Sequence, residues 1–147
     1  MKKLFKKIYY IGGTVYRGLI GIFDNLFDAE EKISNEVDRE VIGKTVKGKD
    51  IICYKITGSF VPTDVETHDD NPKKLLIVGG IHGNEVGTVK LAKKIINYFL
   101  NKKINIELFV IPVLNIDGYG QALKNPDYIH RGKICRFNAN NVDLNRN

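Results

Sequence analysis

Cysteine is scarce in this 147-residue chain: Cys53 and Cys135 are the only two, and neither belongs to a Cys-x-x-Cys pair. That spacing excludes a cysteine zinc knuckle and a dithiol redox motif. One pairing of the two would say little about compartment. Cys53, inside the run Ile51-Ile52-Cys53-Tyr54, reads as a buried free thiol. No stretch is continuous enough for a membrane span, since Arg17 and Asp24 interrupt the apolar N-terminal segment. Lysines ahead of Ile8-Tyr9-Tyr10-Ile11 imitate the start of a signal peptide, but no A-x-A-like cleavage site follows. The expected location is the cytoplasm or the periphery of a membrane. Repeats and low-complexity tracts are absent too. So is any stripe of interleaved aromatic and basic residues, and no nucleic-acid partner is expected. The formal net charge of +6 then reads as solvated surface, and Lys2, Lys3, Lys6 and Lys7 concentrate part of it at the N-terminus.

What remains is the composition of an ordinary globular protein, 43% hydrophobic and 27% charged, long enough for one domain with a real core. Phe5, Ile8, Tyr9, Val15, Tyr16, Leu19, Ile20, Phe23, Leu26 and Phe27 recur at the spacing of an amphipathic helix. Gly12 and Gly13 weaken it near the middle. Such a stripe needs cover, from protein or from a membrane surface, and a polar face that is not uniformly basic favours protein. A charged linker follows, so residues 1–35 read as an appended helix and linker and residues 36–147 as the principal domain.

That domain opens with a hairpin: Val37 to Val46, a turn at Lys47-Gly48-Lys49-Asp50, then Ile51 to Ile56. Residues 57–73 read as a loop. Leu75-Leu76-Ile77-Val78 is a continuous apolar run, as in a strand buried on both faces. A glycine-rich turn leads to helical spacing over Val86 to Leu100, and Ile106 to Val113 is a second buried-type strand. This β-α-β order predicts a parallel pair with a right-handed crossover. Residues 114–147, rich in Asn, Asp and Gly, read mostly as loop.

Ligand sites in open α/β sheets form at the carboxyl ends of parallel strands. His82 and Glu85 stand there, in Gly79-Gly80-Ile81-His82-Gly83-Asn84-Glu85. An imidazole nitrogen and a carboxylate three residues apart are suitable zinc ligands. By themselves they would read as a loop histidine and a helix-start glutamate; the strand-Gly-Gly context argues against that. A second cluster runs from Arg136 to Asn147. Its two arginines and several amides suit a carboxylate or an oxyanion, because the guanidinium offers a fixed fork of donors.

In order, Gly80-Ile81-His82-Gly83-Asn84-Glu85, Asn115-Ile116-Asp117-Gly118-Tyr119 and Arg136-x-Asn138 running into Val142-Asp143-Leu144-Asn145-Arg146-Asn147 resemble the motifs of the M14 zinc carboxypeptidases. The turn from Ile42 to Ile51 resembles that family's opening hairpin. The resemblance covers residues 36–147 and implies an α/β fold, a partial three-layer α/β/α mixed sheet, preceded here by the amphipathic helix. It implies one Zn2+, with His82 and Glu85 as its first two ligands. Arg136 would polarise the scissile carbonyl, and Asn145 and Arg146 would hold the terminal carboxylate of a peptide substrate. The implied activity is metallocarboxypeptidase hydrolysis of a C-terminal peptide bond, or of a related amide in cell-wall peptide.

The chain departs from the family in three places. Ile116 stands where proline is usual, and Asn141 where glycine is usual, though asparagine tolerates a left-handed backbone. The family's second zinc histidine, catalytic glutamate and substrate-binding tyrosine lie beyond the point where this sequence stops. His68, in the acidic loop, and His130, before Arg131, do not match the family's third-ligand position and read as surface histidines. The expectation is therefore an incomplete and inactive carboxypeptidase portion with no third zinc ligand in this chain. Two rivals stand beside it. One is a zinc deacylase of the aspartoacylase and succinylglutamate desuccinylase type, which shares His-Gly-Asn-Glu and Asp-Leu-Asn-Arg. The other is a truncated, non-catalytic binding module.

Overall fold

A hairpin starts the fold. β1 (Asp38–Lys44) and β2 (Asp50–Thr57) pair antiparallel, Asp38 opposite Lys55 and Lys44 opposite Asp50. The computed structural model describes residues 32–57, 73–104, 106–125, 127 and 132–146. The turn is closed by Thr45, whose amide donates to Lys49 O at 2.8 Å and whose Oγ1 accepts from the Lys49 amide at 3.2 Å. The register slips between Val41 and Gly43. That bulge and the charges of Asp38, Arg39, Glu40 and Lys44 blunt β1, which lies at the sheet edge.

β3 (Lys73–Val78), α1 (Val86–Phe99) and β4 (Ile106–Ile111) follow. β3 and β4 are parallel, as the sequence predicts, with Lys73 opposite Ile106 and Val78 opposite Ile111. β4 also pairs antiparallel with β2, so the sheet is mixed, in the order β1-β2-β4-β3. The helical spacing of residues 86–100 is explained by what it buries: Val86, Val89, Ala92 and Ile96 form one face. Ala92 and Ile96 pack with Ile56, Leu108, Val110 and Val37 in the core, flanked by Tyr54, Leu75, Ile77, Ile95 and Phe99. Asn97 binds the chain ahead of β1, its Nδ2 donating to Lys32 O at 2.8 Å and its Oδ1 accepting from the Ser34 amide at 3.3 Å.

One expectation needs correction. The run Leu75–Val78 is not covered on both faces: Leu75 and Ile77 pack toward α1, but Leu76 is 58% exposed. The described residues place core-packing α1 on the face opposite Leu76, so an unbroken apolar run does not by itself establish two-sided burial. Residues 114–147 are mostly loop, as expected, with one helix among them, α2 (Ile116–Lys124). Gly118 and Gly120 depress its propensity. Asn115 offsets this by capping it, its Oδ1 accepting from the Gly118 amide at 3.0 Å, with Asp117 in the first turn and Lys124 in the last. The amphipathic helix expected over residues 5–27 lies outside the described residues. Among those residues no helix is long and apolar enough to cross a membrane. Cys53 is a buried free thiol, as expected.

α2 is fastened to the hairpin turn through Asp117, which is 4% exposed. Lys49 Nζ lies 3.2 Å from its Oδ1, and the Lys47 amide donates to Oδ2 at 3.3 Å. Burial alone would raise the Asp117 carboxyl, but bonds from Thr45, Lys49 and the Lys47 amide outweigh it and lower it below its ordinary value. A depressed carboxyl stabilises the fold above its unfolded-state value of about 3.9 and stops doing so as pH falls through its folded value. Asp117→Asn should therefore lower stability at pH 7 by about 1–3 kcal/mol. The gap from the native chain should close below about pH 4. Urea denaturation of both proteins across that window checks it; a gap that stays constant with pH would refute the assignment.

Candidate metal centre

The parallel pair sets the stage. Beyond β3 and β4 the two strands keep contact through their following residues: Gly79 N donates to Ile111 O at 2.8 Å, Leu114 N to Gly79 O at 3.1 Å and Asn115 N to Gly80 O at 2.8 Å. This ladder carries residues 79–85 and 112–115 side by side at the carboxyl end of the sheet, where His82 and Glu85 are expected. Gly83 lets the turn press against α2. A methyl group added there would lie 2.1 Å from Gly118 C and 2.4 Å from Cys135 O.

Glu85 is the N-cap residue of α1, yet its carboxylate makes no cap bond. It turns instead to His82, whose Nδ1 lies 3.0 Å from Glu85 Oε1. The first turn is held by Thr88, whose hydroxyl donates to Glu85 O at 2.7 Å and accepts from the Gly80 amide at 3.0 Å. His82 is 4% exposed. Its Nε2 lies 2.9 Å from Asp143 Oδ1, and Arg136 Nε donates to Asp143 Oδ2 at 3.1 Å. Arg136 Nη1 is also 3.8 Å from Glu85 Oε1. Four side chains thus interlock: His82 between two carboxylates, and Arg136 beside both of those carboxylates.

The electrostatics follow from the contacts. The bond from His82, aided by the Asn145 amide and Arg136 against partial burial, holds the Asp143 carboxyl well below the usual carboxylate range. An ionised Asp143 only accepts, so Nε2 of His82 carries the proton it receives. That leaves the Nδ1 lone pair facing Glu85 Oε1, two acceptors across 3.0 Å. A proton or a cation must lie between them.

A zinc ion fits this arrangement. Tetrahedral zinc with bonds of about 2.1 Å sets neighbouring ligand atoms about 3.4 Å apart, close to the separation here. A ligating histidine also characteristically gives its other ring N–H to a carboxylate, as His82 does to Asp143. Among the described residues no group of three or more His, Cys, Asp and Glu side chains is arranged to hold a metal ion. His82 and Glu85 would be two donors of a larger set. His68 and His130, read from sequence as surface histidines, lie outside the described residues.

Arg136 lies beside Glu85 and Asp143, the two carboxylates that flank His82. Asn145 and Arg146 belong to the turn that Asp143 starts: the Asn145 amide donates to Asp143 Oδ1 at 3.0 Å and the Arg146 amide to Asp143 O at 3.0 Å. Their side chains are exposed, and Arg146 Nη1 donates to Asn145 O at 3.1 Å. Asn141 has the left-handed backbone its place in the motif implies, φ 60°. Asn138 Oδ1 braces that loop by accepting from the Asn140 and Val142 amides at 3.0 and 2.9 Å. The residue that sequence reasoning missed is Asp143. It stands inside a recognised motif, and the need of a ligating histidine for an acceptor on its second nitrogen is the signal that marks it.

Known proteins resemble this chain in sequence and in fold. The sequence model of the zinc carboxypeptidase family matches residues 24–147. The chain is 32% identical over 117 residues to the carboxypeptidase N catalytic chain of Rattus norvegicus, covering 72% of this chain and 24% of the relative. It is 30% identical over 144 residues to the carboxypeptidase N catalytic chain of Homo sapiens, covering 85% and 30% respectively. It therefore spans about a quarter of the length of the curated relatives it matches. The crystal structure of carboxypeptidase A from Helicoverpa armigera shares the fold, with a TM-score of 0.51 and 17% identity over 84% of this chain and 36% of that one.

Proposed function

The chain belongs to the zinc carboxypeptidase family, and from that premise we propose that its residues 36–147 bind one Zn2+ through His82 and Glu85 and serve hydrolysis of the C-terminal amide bond of a peptide, or a related amide of cell-wall peptide. The observation that supports this most is the convergence of His82, Glu85 and Arg136 around one point, with Asp143 behind them. Residues 1–35 form, in this reading, an appended segment. Its apolar stripe docks on protein in preference to a membrane surface, and the cytoplasm or a membrane periphery is its place.

Bound zinc would polarise the scissile carbonyl and make a water nucleophilic near neutral pH. The side chains account for the rest. Asp143 holds the His82 ring in the tautomer that leaves Nδ1 free for the metal. Glu85 supplies the anionic donor. Arg136 is held at Nε by Asp143, which leaves its η nitrogens as donors for the carbonyl oxygen as negative charge grows there. Asn145 and Arg146, exposed in the adjoining turn, would hold a carboxylate by a neutral and a charged donor. The overall reaction breaks the C–N bond, adds the water's hydroxyl to the acyl carbon and its proton to the departing nitrogen. The products are a shortened peptide acid and a free amino acid.

Recognition of the terminal carboxylate gives the test. An N-acylated dipeptide with a free carboxyl group, added to the zinc-treated chain, should shift the backbone amide resonances of residues 143–146. The same dipeptide with its C-terminus amidated should not. An equal response to both, or none to either, would remove the support for carboxypeptidase chemistry.

A further inference from the structure

Asn115 is 2% exposed, and every polar group it has is in use. Its amide N donates to Gly80 O at 2.8 Å, two residues before His82, and its carbonyl accepts from Tyr119 N at 2.9 Å. Its side-chain Oδ1 caps α2, while Nδ2 donates to Arg136 O at 3.0 Å. One residue therefore touches the His82 turn, the start of α2 and the backbone of Arg136.

Arg136 needs such support. The residue before it, Cys135, has φ 60°, a left-handed conformation that a side chain other than glycine or asparagine disfavours. Conformations of that kind persist where their surroundings over-determine them. Here the surroundings are close: a methyl group on Gly118 would lie 2.7 Å from Cys135 O and 2.7 Å from Asn115 Nδ2. Glycine at 118 is what lets the Asn115 amide pass over α2 and reach Arg136.

We infer that Asn115 is a positioning residue for Arg136: its side-chain N–H fixes the Arg136 carbonyl relative to the His82 turn, and so sets where the guanidinium meets Asp143 and Glu85. The inference rests on the reading of Arg136 as the group that polarises the carbonyl, but its geometry exists without metal or substrate. The helix-capping half of the side chain and the Arg136-binding half can be separated chemically. Serine at 115 keeps an oxygen to cap Gly118 and has no amide donor. Aspartate keeps both size and cap and turns an oxygen toward the Arg136 carbonyl.

The test uses the full, zinc-free chain labelled with 15N. The readout is hydrogen exchange at Arg136 Nε, which donates to Asp143, together with exchange of the α2 backbone amides. In Asn115→Ser and Asn115→Asp the Arg136 Nε proton should exchange about 5–10-fold faster than in the native chain. The α2 amides should keep their native protection. If Arg136 Nε keeps its protection, Asn115 is only a cap and the inference falls. It falls equally if Nε and α2 lose protection together, or if neither variant folds, since the residue then serves the fold at large. Should only Asn115→Ser fail to fold, Asn115→Asp decides. A failure of zinc to bind at His82 and Glu85 would sink the proposed function and leave this measurement unchanged.

Discussion

Zinc titrated into the Glu85→Gln or His82→Ala variant should bind at least about 100-fold more weakly than to the native chain. Replacing a residue that only orients a ligand commonly costs 10–100-fold in metal affinity, and losing a ligand itself must cost more. Glu85→Gln is the cleaner variant. The side chain is 32% exposed and caps nothing, so the amide should alter metal affinity with little effect on the fold. His82→Ala also leaves a void under Asp143 and removes one of the two donors to Oδ1, the other being the Asn145 amide. Asp143→Asn should fall between these variants and the native chain, within the 10–100-fold range. Calorimetric titration measures the affinities. Thermal melting supplies an independent reading, because zinc at about 100 times its dissociation constant adds about 2.7 kcal/mol to the native chain and should add almost nothing to the variants. Zinc bound equally well by all four proteins would place the metal elsewhere.

Gly83→Ala should be the most damaging glycine-to-alanine change among the described residues. The added carbon would meet Gly118 C at 2.1 Å, Cys135 O at 2.4 Å and Tyr119 N at 2.4 Å, all of them backbone atoms. A flexible side chain could swing away, but these atoms cannot yield without moving α2 or the segment before Arg136. Overpacking ordinarily costs about 1–3 kcal/mol. With backbone on every side the cost should exceed about 3 kcal/mol, and the His82 turn should part from Arg136. Urea denaturation gives the loss, and a loss below about 1 kcal/mol would show that the turn packs only loosely against α2. Gly43 in β1 is a control: a methyl group there has nothing within 4 Å, so Gly43→Ala should cost far less.

How legible these features are in the sequence depends on the range of the interaction that creates them. His82, Glu85 and Arg136 stand in motifs read along the chain, and the strands and α1 announce themselves by apolar periodicity. α2 does not, because its glycines satisfy the close packing of Gly118 on residues 135–137 at the expense of helix propensity. Its cap at Asn115 is a local bond, but the amide's other bond, to a carbonyl 21 residues away, is a tertiary fact. Asp143 is similar: its partner His82 is 61 residues distant. The exposure of Leu76 has the opposite cause. The run Leu75–Val78 records a strand's affinity for apolar cover but not which of its faces receives it.

The strand order has a consequence for how the molecule comes together. β4 lies between β2 and β3, so β3 is synthesised before the only strand that pairs with it among the described residues. The β1–β2 hairpin can close as soon as its turn is made, being local. β3 must wait, with its backbone edge and its Leu75–Val78 side chains unpaired, until the chain has grown past Ile111. At about 5–20 residues per second that interval lasts a few seconds, long against the microseconds of hairpin closure. The helix made during the wait is the one whose Ala92 and Ile96 enter the same core as Leu75 and Ile77. α1 is thus a nascent-chain shield before it is a crossover, and the sheet's final register is set by the last of its four strands to emerge.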